Sequence, residues 1–170
     1  ILRHILNGNG VACGPDRGLN GIGDIRRALL NYPRNATHIV IEVGAGESMA
    51  LRKSSAMLKP DLSIITMVRM EHYSVFRTLE RVAEEKGWLA ENTMPKGTVM
   101  VNGDDPFALQ AARRTKARIV TFGQQEGLDY RVSEIHAAYP ERLSFKVSWK
   151  GGSQKIVTPF IADYSWLPVT

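Results

Sequence analysis

Residues 37–43 read Thr-His-Ile-Val-Ile-Glu-Val and end at Gly44, a β-branched run of strand length closed by a breaker. Similar runs occupy residues 62–66, entered through Lys59-Pro60-Asp61, and residues 98–102 and 118–123. Apolar stretches this continuous suit strands of a parallel sheet buried on both faces. Between them, residues 25–30, 50–58, 75–90 and 106–114 carry apolar positions at helical spacing, and Pro106 follows Asp104-Asp105 as a first-turn proline would. Strands alternating with helices predict an α/β fold, a mostly parallel sheet flanked by helices. Ile1, Leu2, Ile5 and Leu6 already have helical spacing, so the chain is expected to open inside an element, with the natural protein starting earlier.

Beyond Gly123 the period changes. Residues 130–135 and 143–149 alternate polar and apolar positions, Lys150-Gly151-Gly152-Ser153 is a hairpin signal, and residues 155–160 would return. We therefore expect one domain over residues 1–170, made of a parallel core (1–123) and a small antiparallel β extension (124–170).

With 44% apolar and 23% charged residues in 170, the chain has the composition of a globular domain. Its one cysteine, Cys13, rules out an internal disulfide framework, and no apolar run approaches membrane-spanning length, so a reducing cytoplasm is the expected compartment. The net charge is +5, but the basic residues are scattered rather than striped, which argues against nucleic acid as a partner.

Open parallel sheets bind ligands beyond the carboxyl ends of their strands. Glu42 lies near the end of the first full strand and Glu71-His72 just past the second, positions from which an acid and an imidazole could hold a hard divalent cation. The plainer alternative is that Glu42 caps a helix and His72 sits on a loop. Lys86 shares a helical stripe with Val75, Leu79, Val82 and Leu89, which places a lysine where the protein interior is expected. Burial disfavours the charged form of an amine, so Lys86 is either a reactive or anion-seeking group or a stem that packs while its end escapes to water. Gly44 to Met49 gives GxGxxM, which lacks the third glycine of the dinucleotide fingerprint, and no GxxxxGK[ST] phosphate loop occurs. Asn102-Gly103-Asp104-Asp105 reads as a turn with an Asp helix cap.

In order and spacing these motifs resemble the central domain of the Mur ligases, most nearly the branch that adds D-alanyl-D-alanine. The matching pieces are Asn20-Gly21-Ile22-Gly23, Glu42-Val43-Gly44-Ala45, Lys59-Pro60-Asp61, Thr66-Met67 with Glu71-His72, Ala83-Glu84-Glu85-Lys86-Gly87 and Asn102-Gly103-Asp104-Asp105. The resemblance spans roughly residues 1–125 and implies a P-loop NTPase-like domain truncated at its N-terminus, before its phosphate loop.

It further implies ATP and Mg2+ as cofactors and the activation of a carboxylate as an acyl phosphate for attack by an amine, in peptidoglycan precursor synthesis. By position, Glu42, His72 and Lys86 would serve the metal, His72 and Lys86 catalysis, Asn20 the carboxylate substrate, and Asn102 and Asp105 the nucleotide. Lys86 corresponds to a lysine that several members carry as a carbamate. The implied partners are small-molecule substrates and further N- and C-terminal domains of the same chain, and these 170 residues alone are not expected to turn over. Met67 stands where the family has Asn, and the segment around Trp166 lacks the family's His-Asn-x-x-Asn. Those departures motivate the alternatives of a Mur-like module without catalysis or a ligase for another polymer such as polyglutamate.

Overall fold

The computed structural model describes the chain apart from Arg17, Ala45, Glu47, Glu71, His72 and residues 168–170. Element order is α1 (Leu2–Leu6), β1 (Ala12–Cys13), α2 (Ile22–Leu30), β2 (His38–Ile39), α3 (Ala50–Leu58), β3 (Leu62–Ile65), α4 (Tyr73–Phe76), α5 (Leu79–Glu91), β4 (Thr98–Asn102), α6 (Pro106–Ala112), β5 (Arg118–Gly123), β6 (Tyr130–His136), β7 (Ser144–Trp149) and β8 (Gly152–Val157), then a 3-10 turn at Asp163–Trp166. Strands β3 to β8 form one sheet in sequence order, parallel as far as β6 and antiparallel for β7 and β8. Strands β1 and β2 pair in parallel as a separate ribbon. The mostly parallel α/β architecture is the expected one, and the antiparallel strands continue its sheet.

Helices α5 and α6 cover one face of β3 and β4, where Ile65, Val82, Val99, Val101 and Ala108 form a dry core. A second cluster around Phe122, Val132, Leu143, Phe145 and Trp166 sits under the extension. The expectation of strands buried on both faces is corrected here. Leu62 is 48% and Ile64 37% exposed, because the helices lie on the opposite face and these two side chains line an open cleft.

The helix expected over residues 75–90 is broken. Arg77 adopts φ 61, and Thr78 then caps a new helix by accepting from Arg81 N, so α5 starts at Leu79 and Val75 falls on α4, 37% exposed. Its inner stripe otherwise faces the core, with Val82 fully buried and Leu89 packed against the cluster. The strand expected over residues 37–43 pairs only at His38–Ile39. The returning strand lies three residues earlier than expected at its start, because a two-residue turn at Lys150-Gly151 brings Trp149 opposite Gly152.

Candidate functional site

A cleft of about 1010 Å3 runs along β2 and β3 and is walled by both. Asp61 lies at its amino end, where β3 begins, while Glu42, Gly44 and Met67 lie toward the carboxyl end. Asn20, from the loop before α2, Glu42 and Lys86 all line it. The sequence thus brings three of its candidates to one cleft.

At the carboxyl end the chain is tied in a tight knot. Asn20 Nδ2 donates to Glu42 Oε1 at 3.1 Å, and Gly44 N donates to Asn20 O at 3.3 Å. A Cβ on Gly44 would stand 2.9 Å from Asn20 Oδ1, so a side chain there would push the Asn20 amide aside. Glu42 is exposed, and its Oε2 accepts no hydrogen bond among the described residues. Asn20 therefore orients the carboxylate and leaves it an oxygen for a cation.

Lys86 is half-buried, and its Nζ donates to the Met67 carbonyl at 2.8 Å. Its aliphatic stem follows the inner stripe of α5 while the amine ends at the loop leaving β3. His72, the third member of the expected metal set, lies outside the described residues. Among the described residues no three His, Cys, Asp or Glu side chains gather as a metal cage. One carboxylate with free lone pairs at a cleft rim suits Mg2+, which keeps several waters and takes phosphate oxygens alongside one or two carboxylates. It does not suit a tetrahedral structural zinc.

Asn102 and Asp105 are not among the residues that line the cleft, and Asp105 instead holds the loop that carries Met67. Asn102 is buried and its Oδ1 accepts from Asp104 N at 2.9 Å. Asp105 is 3% exposed, and both its oxygens are engaged. Oδ1 caps α6 through Phe107 N and Ala108 N, at 3.0 and 3.1 Å, while Oδ2 accepts from Val68 N at 2.7 Å and Arg69 Nη1 at 3.0 Å. This carboxylate pins the segment that carries Met67 onto the β4–α6 turn.

Sequence reading passed over Glu85. Only 5% exposed, it accepts from Met49 N and Leu51 N at 3.0 and 2.9 Å, gripping the start of α3. The signal was present, since Glu85 is three residues after Val82 and four before Leu89 and so shares their face of the helix.

A mostly parallel α/β sheet with polar side chains at the carboxyl rim is of the open-sheet class, in which ligands bind beyond the carboxyl ends of the strands. Residues 9–166 match the Mur ligase middle domain, and the chain belongs to that family. Among curated relatives, it is 29% identical over 107 residues to the UDP-N-acetylmuramoyl-L-alanyl-D-glutamate--2,6-diaminopimelate ligase of Chlamydia pneumoniae, covering 62% of this chain and 22% of that protein. It is 26% identical to the UDP-N-acetylmuramoyl-tripeptide--D-alanyl-D-alanine ligase of Mycobacterium leprae, over 54% of this chain and 18% of the relative. The chain thus spans about a fifth of the length of these relatives. Its fold superposes on MurF from Acinetobacter baumannii with a TM-score of 0.88 at 22% identity, covering 98% of this chain and 36% of the other. It also superposes on MurF from Thermotoga maritima in complex with ADP, with a TM-score of 0.77 at 18% identity over 92% of this chain and 36% of the other.

Proposed function

We propose that this chain is the ATP- and Mg2+-binding middle domain of a ligase that activates a carboxylate as an acyl phosphate for attack by an amine, in peptidoglycan precursor synthesis. The observation that carries the reading is the knot at the cleft rim, where Asn20 holds Glu42 with one oxygen free, on the same cleft as Lys86. Family membership and a fold neighbour solved with ADP support the nucleotide.

In this reading Glu42, Lys86 and His72 serve the metal, and Asn20 both orients Glu42 and approaches the carboxylate substrate. When bound, Mg2+ would offset charge on the phosphate oxygens as the phosphoryl group transfers. Lys86, its stem fixed by the core, contributes a nitrogen at the cleft and is the site for a carbamate. Asn102 and Asp105 contribute to the nucleotide site by fixing the β4–α6 turn against residues 67–69. Catalysis then rests on positioned charge, with no protein nucleophile.

The test uses the full-length protein. ATP hydrolysis is expected to require both Mg2+ and an amine acceptor, and to be lost in the double variant Glu42→Ala, His72→Ala. Activity that survives the pair would remove the metal assignment.

A further inference from the structure

Helix α3 begins without a cap of its own. Its N-cap residue, Met49, sits at φ 67 and offers no side-chain acceptor. The first amides of a helix have no intrahelical partner. Here they are met from another helix, because Glu85 of α5 accepts from Met49 N and Leu51 N through its two oxygens, at 3.0 and 2.9 Å. A Ser, Thr, Asp or Asn at residue 49 is the usual local solution. Here a buried carboxylate from another helix takes that place, and its two hydrogen bonds tie α5 to α3.

That link reaches the cleft lining from two sides of the sequence. Leu51 lines the cleft, and so does Lys86, the residue after Glu85, which donates to Met67 O. Consecutive side chains of α5 therefore hold the start of α3 and Met67, which follows β3. Ser55 reinforces the seam, with Oγ within 3.1 Å of Trp88 O, and Asn92 Nδ2 donates to that Oγ at 3.1 Å.

We propose that Glu85 is a positioning residue for the metal site: it fixes Met49 and Leu51, at the start of α3, in register with Lys86, so that Glu42 and Lys86 address the same ion. The proposal rests on the Mg2+-dependent reading above. Loss of Glu85 frees the amides at the start of α3 and lets that part of the cleft lining drift from Lys86, while the groups that would touch the ion stay chemically intact.

The experiment compares full-length wild type, Glu85→Gln and Glu85→Ala by Mn2+ binding in electron paramagnetic resonance with a non-hydrolysable ATP analogue, by hydrogen exchange, and by the Mg2+ dependence of turnover. Exchange should quicken at Met49 and Leu51 in Glu85→Ala. Its Mn2+ dissociation constant should rise about ten-fold, with turnover at saturating Mg2+ within about two-fold of wild type, as for loss of a group that orients metal ligands. Glu85→Gln, which keeps one acceptor, should fall between and guards against a variant that fails to fold. Wild-type Mn2+ affinity in Glu85→Ala despite faster exchange would make Glu85 only a cap for α3 and overturn the positioning role. Wild type that binds no Mn2+ would overturn the ligase reading itself.

Discussion

Replacing Asp105 by Ala removes the acceptor for four donors, and the cost can be worked from what each loses. The cap of α6, from Phe107 N and Ala108 N, is worth about 1 kcal/mol. Val68, 1% exposed, would be left with a backbone N–H that has lost its acceptor, a penalty of about 1–3 kcal/mol. The Arg69 side chain is 63% exposed, so that ion pair adds no more than about 0.5 kcal/mol. The sum is about 3 kcal/mol, which at a urea slope of about 2 kcal/mol/M moves the unfolding midpoint down by about 1.5 M. Asp105→Ser separates the contributions, since serine can still cap α6 but is too short to bridge to Val68. It should recover the cap's share, about 1 kcal/mol, and no more. A loss below about 1 kcal/mol in Asp105→Ala, or full recovery by Asp105→Ser, would show that the clamp on Val68 does not bear on stability.

Gly44→Ala should displace Asn20 from Glu42, since the added Cβ would lie 2.9 Å from Asn20 Oδ1; we expect weakened Mn2+ binding with folding intact, and unchanged binding would refute the knot. Trp88 is sandwiched by Arg52 at 4.6 Å and Arg114 at 4.1 Å, and Arg114 also bonds Glu91 and the Glu84 carbonyl. Arg114→Lys cannot reproduce the planar fork and should cost about 1–2 kcal/mol in a denaturation series, a neutral result contradicting it. Asp129 is held below its ordinary 3.8 first by the Thr121 backbone N–H and then by the Thr121 hydroxyl, with Arg118 helping and burial opposing. A lowered folded value means stabilisation present above the unfolded pKa, about 3.9, and lost as pH falls through the folded one. The gap in urea midpoint between wild type and Asp129→Asn should therefore hold at neutral pH and close on acidification; a gap unchanged down to pH of about 2 would contradict the assignment.

Elements whose identity is decided locally were readable in the sequence. Ala50–Leu58, Thr98–Asn102 and Arg118–Gly123 appear at their expected bounds because their apolar period and their flanking breakers agree. The break before α5 was also written locally, in a Thr78 able to cap, but the apolar stripe running on to Val75 overrode it. Strand β1 is two residues long, too short for a period. At the site, Lys86 stood out because a cation on an apolar stripe is anomalous. Asp105 read as a helix cap, which it is, whereas its bond to Val68, 37 residues away, depends on two strands lying side by side. Glu85 showed its burial in the face it shares with Val82 and Leu89, but not its partners, which are 34 and 36 residues distant.

The expected strand over residues 37–43 illustrates how propensity and pairing come apart. His38 and Ile39 ladder with β1, and Val40 N still reaches Cys13 O at 2.8 Å. Ile41, Glu42 and Val43 then run along the cleft with no ladder partner among the described residues, although β-branched residues flank Glu42 on both sides. Strand propensity reflects fit to a paired, half-buried surface, so without a neighbour it does not by itself make a strand. The Glu42 carboxylate is consequently held by Asn20 rather than by its own backbone. Unprotected amides exchange through the most local openings, whereas those of a central strand wait for larger ones. In the 170-residue chain, the amides of Ile41 to Val43 should exchange much faster than those of Val99 and Val101, which are fully buried within the parallel ladder. Asn20→Ala should loosen Glu42 without altering β4. Equal protection of the two stretches would mean that the run is paired in solution.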